Sequence, residues 1–370
     1  MIDKLTLKNF SAFKDLQIDF SSGINVIIGE NGCGKTQLLK AAYSANQLAA
    51  TEGLKSSDTN KEAGASILAV FSRELAKIGK LAHRGAKDDT QIEATLSDGS
   101  ILDIGFNSKR THPATSYSDA PPKIAKGTFI PTKEVLSFVC GIKSEAADEQ
   151  TIHRLFDATY LDLVEKLTTQ PTKETEERAQ WGVSAITNSI GGQFVFNDNN
   201  FEFQRGEYVP YTQTKEREAH KEYFKDIADD IHSVALTAEG FKKLGILQIL
   251  LNSNFIGTGT NGPLIWDEPE SNLNPQLMEC LVNTLLTLSE KGQQIILASH
   301  DYVLLKWIDL LSDQKKGHHI RYHSLHRNDD SVISVNSADD YKHLEPNAIS
   351  KTFNDITKAQ VKKNMGDLMS

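Results

Sequence analysis

One eight-residue segment constrains this chain more than any other: Gly29-Glu-Asn-Gly-Cys-Gly-Lys-Thr36. It fits the spacing G-x-x-x-x-G-K-[ST] in full. A short β-branched run, Ile24–Ile28, precedes it, and apolar residues at helical spacing follow it from Gln37. Strand, glycine-rich loop and helix predict one half of a βαβ unit, in which backbone N–H groups surround an anion at the N-terminus of the helix.

The residue types in this segment predict a site for the phosphates of a nucleotide. Glycines let the backbone turn inward without a Cβ clash. Lys35 is placed to reach the β- and γ-phosphates, and the Thr36 hydroxyl to ligate Mg²⁺. We therefore expect ATP and Mg²⁺ as ligands. The expected ATP-binding residues are Gly29, Glu30, Asn31, Gly32, Cys33, Gly34, Lys35 and Thr36.

Two later segments predict the remainder of this site. Leu264-Ile-Trp-Asp267-Glu268 is an apolar strand that ends in two acids. Asp267 suits Mg²⁺, and Glu268 suits the water that attacks the γ-phosphate. Ile295–Ser299 reads as another buried strand and ends at His300, which we expect to contact the γ-phosphate. Ligands bind at the carboxyl edge of open α/β sheets, so these side chains should converge there.

Composition narrows the class of protein. With 370 residues and a net charge of −9, a uniformly basic surface is excluded, although a local basic patch is not. Three widely spaced cysteines without metal-ligand spacing indicate reduced thiols. The first residues resemble a strand and not a signal peptide, and apolar runs are too short to cross a bilayer. We expect a cytoplasmic protein without a membrane partner.

A group of histidines near the C-terminus is consistent with two interpretations. His319 and His323 fall on one face of a predicted strand, which would let them approach each other around a metal ion. A solvated basic rim is the alternative, since Lys315, Lys316 and Arg321 lie in the same stretch. The other histidines in this group are His318 and His326.

Alternation of strands and helices is found at both ends of the chain and not between them, so the sequence predicts a split α/β core. Within the intervening part we expect hairpins at 91–106 and 193–204 and helices at 145–166, 174–190 and about 215–231. The predicted division is an N-terminal core lobe (1–50), a loop, helix and hairpin insertion (51–127), a core strand (128–140), a helical and hairpin lid (141–235) and a C-terminal core lobe (236–370).

These motifs together resemble a known family. Gly29–Thr36, Asp267–Glu270, Ser271–Pro275 and His300 are similar to the Walker A, Walker B, D-loop and H-loop segments of ABC-type ATPases of the SMC, RecF and OLD kind. Further phrases, Pro131-Thr-Lys-Glu134 and Ser299–Asp301, resemble bacterial AAA-type ATPases linked to OLD and to anti-phage systems. The resemblance covers about residues 1–45, 128–136 and 236–310. It implies an ABC-type head with a central, mostly parallel sheet and a mixed helical and hairpin insertion.

The resemblance also implies how copies assemble. ATP would be sandwiched between two copies in a homodimer or higher homo-oligomer, with Gly240, Asn272 and Asn274 supplied by the opposite copy. The family's Leu-Ser-Gly-Gly signature is degenerate here, because Ala238 stands where a serine is expected. Glu134 is a candidate for the position of the Q-loop; an exposed acid at a helix N-terminus is the alternative.

The family offers several functions. The first is an ATP-hydrolysing sensor or regulator in anti-phage defence, acting through a separate effector such as a nuclease or toxin. The second is a RecF-like ATPase of DNA repair or maintenance that binds DNA directly; a transporter subunit is a third. We expect no nuclease domain in this chain, because residues 311–370 leave little room and Asp329-Asp330 and Asp339-Asp340 do not form an Asp-x-Asp pair.

Overall fold

A computed structural model describes residues 1–51, 57–72, 74–118, 124–144, 146, 148–210 and 222–367. The strands are β1 (Ile2–Phe10), β2 (Phe13–Asp19), β3 (Ile24–Gly29), β4 (Thr90–Leu96), β5 (Ile101–Phe106), β6 (Ala114–Tyr117), β7 (Thr128–Ile130), β8 (Gly192–Asn197), β9 (Asn200–Pro210), β10 (Glu222–Ser233), β11 (Leu264–Asp267), β12 (Ile295–Ala298), β13 (Ile320–Arg327) and β14 (Ile333–Ala338). The α-helices are α1 (Lys35–Ala49), α2 (Ser57–Phe71), α3 (Val139–Lys143), α4 (Glu149–Leu155), α5 (Ala158–Leu167), α6 (Lys173–Ile190), α7 (Glu239–Asn252), α8 (Met278–Glu290), α9 (Tyr302–Leu311) and α10 (Ala348–Asp367).

The main sheet has the strand order β14-β13-β3-β12-β11-β7, and all neighbours are parallel except β14 with β13. Strands β11 and β12 are buried along their whole length, as expected of strands covered on both faces. In the register, Asp267 lies opposite Ala298, which lies opposite Ile27. The carboxyl ends of β3, β11 and β12 therefore meet at one edge.

A second sheet, β2-β1-β4-β5-β6, is antiparallel throughout. It forms one hydrophobic core with α1 and with the face of the main sheet that carries Ile27. The hairpin predicted at 91–106 is confirmed as β4 and β5. It pairs with β1, so this part of the predicted insertion extends the N-terminal sheet.

A third sheet, β10-β9-β8, packs with α6 and α7 on the other side of the main sheet. The hairpin at 193–204 and the helix at 174–190 are confirmed. The helix expected near 215–231 is wrong: residues 222–233 form β10, and residues 211–221 lie outside the described residues. A register shift between Asp226 and Ile231 breaks the strand's period of two, and this spacing mimics a helical pattern.

Two other predicted elements also differ in their bounds. Residues 51–66 are polar and rich in Ser, Thr, Lys and Gly, a composition that predicts a loop, but residues 57–66 belong to α2. The helix predicted at 145–166 is interrupted between α4 and α5, because the Asp157 side chain accepts a hydrogen bond from the backbone N–H of Thr159 and so caps a new helix. Among the described residues, no helix is both long and apolar enough for a bilayer crossing.

Candidate nucleotide-binding site

The glycine-rich loop connects β3 to α1, as the sequence predicts. Gly32 and Gly34 have φ of +81° and +83°, in the left-handed region that favours glycine. Gly34 also contacts Phe13, since a Cβ at this position would lie 2.8 Å from the ring. No side chain caps the N-terminus of α1. The first N–H groups of α1 are thus left for an anion, and the helix dipole favours one there.

Lys35 folds back over this loop. Its Nζ donates hydrogen bonds to the carbonyl oxygens of Gly29, at 2.7 Å, and Glu30, at 3.3 Å. Cys33 is 2% exposed and belongs to the core beneath the loop. Its contribution to an anion site is therefore confined to the backbone. The ammonium of Lys35 therefore places a positive charge on the loop.

Thr36 and Asp267 come together from opposite ends of the sequence. Thr36 is an exposed residue, and its hydroxyl donates a hydrogen bond of 2.7 Å to Oδ2 of Asp267. Burial raises the pKa of the Asp267 carboxyl, and the hydrogen bonds from Thr36 and Thr132 oppose this rise. Hydroxyl and carboxylate oxygens are hard donors that suit Mg²⁺, and a poorly solvated carboxylate gains from a cation. The residues present therefore fit a magnesium ion.

Glu268 and His300 lie at the same sheet edge. Nδ1 of His300 is 3.2 Å from Oε1 of Glu268 and 3.6 Å from Oε1 of Glu270. Glu268 is partly exposed and has φ of +52°, a conformation that costs a non-glycine residue about 1 kcal/mol. The pair offers a proton acceptor and a polar partner to a ligand seated on the loop.

Glu270 is a residue of this site whose role the sequence did not reveal. It is buried, and its Oε1 accepts hydrogen bonds from the Ser299 hydroxyl, at 2.9 Å, and from the backbone N–H of His300, at 3.1 Å. Burial raises its pKa, and those hydrogen bonds oppose the rise. Glu270 thus fixes the end of β12 and the start of the segment that carries His300.

A second group of predicted residues lies together near the N-terminus of α7. A Cβ on Gly240 would be 3.0 Å from the carbonyl oxygen of Asn272. The Asn272 amide donates a 2.7 Å hydrogen bond to Glu239. Asn274 instead caps the following turn, accepting from the Gln276 N–H at 3.0 Å. Leu236, just before this group, is 83% exposed.

Glu134 lies in neither group of contacts. It is buried and not exposed, so the exposed-acid alternative is wrong. Its Oε2 accepts a 3.2 Å hydrogen bond from the Ser137 N–H, and its Oε1 is 3.7 Å from the Lys242 ammonium. Its assignment to the Q-loop position stays a prediction.

The histidines near the C-terminus are separated. His323 is buried, contacts Phe20 and hydrogen-bonds Ser337 at 2.8 Å, whereas His319 is exposed. His318 instead lies 2.7 Å from Glu290. Within the part of the chain that the structure describes, no three potential ligand side chains are arranged for a metal ion. The interpretation of this stretch as a metal site is therefore wrong for the described residues.

Solved structures of SMC heads share this architecture. The SMC head bound to the C-winged helix domain of ScpA aligns with a TM-score of 0.51 and 13% identity over 91% of this chain and 97% of its own. The SMC head with an extended coiled coil bound to the C-terminal domain of ScpA, derived from Pyrococcus furiosus, gives 0.51 and 13% over 97% and 99%. At this identity the likeness establishes the fold, and the predicted ABC-type α/β head is confirmed.

Curated relatives match in shorter stretches. The DNA replication and repair protein RecF of Carboxydothermus hydrogenoformans is 30% identical over 138 residues, 37% of this chain and 35% of the relative. RecF of Oenococcus oeni is 55% identical over 42 residues, 11% of each chain. This chain thus covers about a third or less of the length of these relatives. Residues 4–358, nearly the whole chain, match the AAA domain family. The chain therefore belongs to the AAA domain family, as an SMC- and RecF-like P-loop protein.

Proposed function

We propose that this chain binds ATP with Mg²⁺ and hydrolyses it. The observation that carries this proposal is the convergence, at one sheet edge, of the Lys35 loop, the Thr36–Asp267 pair at 2.7 Å and the Glu268–His300 pair at 3.2 Å. Fold likeness and the family membership support the same activity.

Each residue has a part in this proposal. Lys35 and the free N–H groups of α1 bind the phosphates, and Thr36 with Asp267 would hold Mg²⁺, which supplies charge neutralisation to the phosphate oxygens when bound. Glu268 accepts a proton from the attacking water, and His300 orients that carboxylate. Substrate positioning and electrostatics account for most catalysis in phosphoryl transfer.

A matched pair of acid-to-amide variants tests this activity. Asp267→Asn removes a charge at the magnesium position, and we expect ATP hydrolysis to fall about 100-fold or more. Asp301→Asn is the control, because Asp301 caps α9 through the Leu304 N–H at 2.7 Å and asparagine caps equally well. Phosphate release should be unchanged in the control. Equal rates of ATP hydrolysis in wild type and Asp267→Asn, or in wild type with and without Mg²⁺, would refute the proposal.

We infer that ATP joins two copies head to tail. Asn272 and Glu239 form an exposed hydrogen-bonded pair, Gly240 is buried against the Asn272 carbonyl, and Leu236 leaves 83% of its surface uncovered in the single chain. A large apolar side chain exposed next to a ligand-binding motif is typical of an interface. The opposite copy would then present these residues, with Asn274, to the loop at Gly29–Thr36, and hydrolysis would release the dimer.

We propose further that this ATP cycle controls a separate effector in anti-phage defence. The resemblance of Pro131–Glu134 and Ser299–Asp301 to defence-linked ATPases supports this role. The test is plaque formation on cells that carry the chain with its neighbouring genes. Protection that is lost on Lys35→Ala would support the proposal. Equal plaque counts with and without the genes, across a broad phage panel, would count against it.

Direct DNA binding is the second candidate, and a basic loop cluster favours it. Segments 77–87 and 107–112 pack together, since the Gly79 N–H bonds the Arg110 carbonyl at 3.2 Å. The acidic residues next to these segments in the sequence are Glu74, Asp88 and Asp89. Among the described residues the cations of this cluster form no ion pair. The exposed cations of the basic loop cluster are Lys77, Lys80, Arg84, Lys87, Lys109 and Arg110.

This cluster is connected to the nucleotide loop by the turn between β1 and β2. The Ser11 N–H bonds Leu81, and the His83 N–H bonds Asn9, each at 2.7 Å. On its other side, the Ser11 hydroxyl donates to Gln37 of α1 at 2.9 Å. The basic loop cluster is therefore joined by hydrogen bonds, through this turn, to the helix that follows the glycine-rich loop.

Charge reversal distinguishes the two candidates. Kd for a fluorescent DNA duplex should rise about tenfold or more in Lys77→Glu/Arg84→Glu/Lys109→Glu, and the slope of log Kd against log salt should decrease. The control is the same reversal on helix α10, which is outside the cluster, Lys351→Glu/Lys358→Glu/Lys362→Glu. Binding that neither triple variant alters, or no binding at low salt, would exclude this cluster as a DNA-binding surface.

A further inference from the structure

Helix α7 carries two consecutive lysines that are buried, Lys242 at 5% and Lys243 at 1% exposure. Buried ammonium groups are rare and need hydrogen-bonding partners. Lys242 turns toward Glu134, at 3.7 Å, and the Ser137 hydroxyl, at 2.8 Å. Lys243 turns toward the acidic edge of the main sheet instead. Both side chains reach the segment that follows β7, but only Lys243 also contacts the segment that follows β11.

The Lys243 ammonium donates to three acceptors on two segments. They are the Thr132 carbonyl oxygen after β7, the Glu268 carbonyl oxygen after β11 at 3.3 Å, and the Ser271 hydroxyl at 2.8 Å. That hydroxyl is itself 3.2 Å from the Thr132 oxygen and 3.0 Å from the Glu268 oxygen. The Ser271 hydroxyl has one proton and donates to one of the two carbonyls at a time. With that proton on the Glu268 oxygen, Lys243, Ser271 and the Glu268 carbonyl form a closed hydrogen-bonded ring, and the bond to Thr132 fastens α7 to the second strand end.

This ring acts on the backbone of Glu268, the proposed proton acceptor. The Glu268 N–H donates to the Ala298 carbonyl at 2.9 Å, and its own carbonyl faces Lys243. Both peptide groups of this residue are thereby held while φ stays at +52°. With the backbone fixed in this way, the carboxylate points toward Nδ1 of His300 at 3.2 Å. A non-glycine residue keeps such a conformation only where its surroundings enforce it.

Charge supports the same arrangement. Burial lowers the pKa of Lys243 to about 8, and the carboxylates around it, Glu270, Glu268, Asp267 and Glu134, oppose this change. An apolar replacement of equal length would leave these acids without the cation and the two carbonyls without a donor. Loss of the ammonium should therefore displace Glu268 before other residues, since the carbonyl and the carboxylate of Glu268 both lie near Lys243.

We propose that Lys243 is a positioning residue for ATP hydrolysis, because its hydrogen bonds hold the left-handed backbone of Glu268 and so aim the Glu268 carboxylate. This inference rests on the proposed ATPase activity. It predicts an effect on the chemical step and not on nucleotide affinity, because Lys243 has no contact with the loop at Gly29–Thr36 among its described hydrogen bonds.

Lys243→Met tests the inference, with Lys242→Met as the matched control. We expect kcat to fall about 30- to 100-fold in Lys243→Met, as a displaced catalytic group costs that order of rate, while the Kd for ATP changes less than about threefold. In Lys242→Met, kcat should stay within about threefold of wild type. A crystal structure of Lys243→Met should show the 3.2 Å contact between Glu268 and His300 lost.

Three results would overturn the inference: an unchanged kcat, an equal fall in both lysine variants, or an unaltered Glu268 backbone in the Lys243→Met structure. If Lys243→Met does not fold, Ser271→Ala opens the same ring while keeping the ammonium, and kcat should fall about 3- to 10-fold at constant Kd for ATP. Wild type that binds no ATP would refute the proposed function. The Glu268 geometry in the variant structure would still decide the role of Lys243.

Discussion

Replacing Glu268 by glutamine isolates proton transfer from every other property of the site. Glutamine has the same length, so its amide oxygen keeps the 3.2 Å contact with His300, and the left-handed backbone is retained. What is lost is the ability to accept a proton. A positioned general base contributes about 10²–10⁴-fold to rate. We therefore expect kcat for ATP hydrolysis to fall about 10²–10⁴-fold, which corresponds to roughly 3–5 kcal/mol of activation free energy.

Phosphate release at saturating ATP and Mg²⁺ measures this loss, and calorimetry should give an unchanged Kd for ATP. Because the bound nucleotide then persists, gel filtration with ATP should show the dimer of Glu268→Gln and mostly the single chain without nucleotide. A kcat within threefold of wild type would refute the role of Glu268. Absence of any ATP-dependent change in mass would refute the sandwich.

Glu268→Gly provides the structural counterpart. Glycine relieves about 1 kcal/mol of backbone strain at φ +52° and loses a similar amount to the greater freedom of the unfolded chain. Loss of the partly exposed contact between Glu268 and His300 lowers the free energy of unfolding by at most about 1 kcal/mol. The free energy of unfolding should thus stay within about 1 kcal/mol of wild type although activity is lost. A larger loss in a denaturant titration would contradict the strained geometry.

Gly34→Ala should destabilise the chain by about 1–3 kcal/mol more than Gly32→Ala in denaturant titrations. Both glycines have left-handed φ, but only at Gly34 would an added Cβ contact the Phe13 ring, at 2.8 Å. Equal losses of stability in the two variants would contradict this. Leu236→Glu should abolish the ATP-dependent dimer in gel filtration without changing the Kd for ATP, since this leucine is 83% exposed; an intact dimer would exclude it from the interface. Burial lowers the pKa of His323 to about 3. The unfolded chain therefore binds this proton below pH 6.5 while the folded chain does not, and stability should fall by about 2 kcal/mol from pH 7 to 5. His323→Gln should flatten that dependence, and an unchanged slope would contradict the assignment.

The glycine-rich loop of the candidate site was predictable because its spacing is set by local chemistry. A glycine-rich loop must follow a strand and precede a helix to present its N–H groups, and both neighbours are visible in the sequence. An apolar run that ends in two acids could equally be a strand end whose acids cap the next turn, and Asp267 and Glu268 were predictable only together with the loop at Gly29–Thr36. The convergence with His300 followed from the parallel sheet alone.

Lys243 and the strand β10 were not predictable from local patterns. Two lysines within the apolar run of α7 are a visible anomaly, but only the fold shows that one of them reaches the Glu268 carbonyl. In β10 the irregular register with β9 removes the alternation that identifies a strand. In both cases the determining contacts come from residues that are distant in the sequence.

ATP affinity of Lys35→Ala tests the central claim most directly. The Lys35 ammonium is fixed over the loop by its bonds to Gly29 and Glu30, and a hydrogen bond to a charged group contributes about 1.5–3 kcal/mol. Isothermal titration should therefore show a Kd about 10- to 150-fold weaker than wild type. Lys40→Ala, on the same helix but paired with Asp157 at 2.6 Å, should bind ATP as wild type does. An identical Kd for wild type and Lys35→Ala would contradict the account.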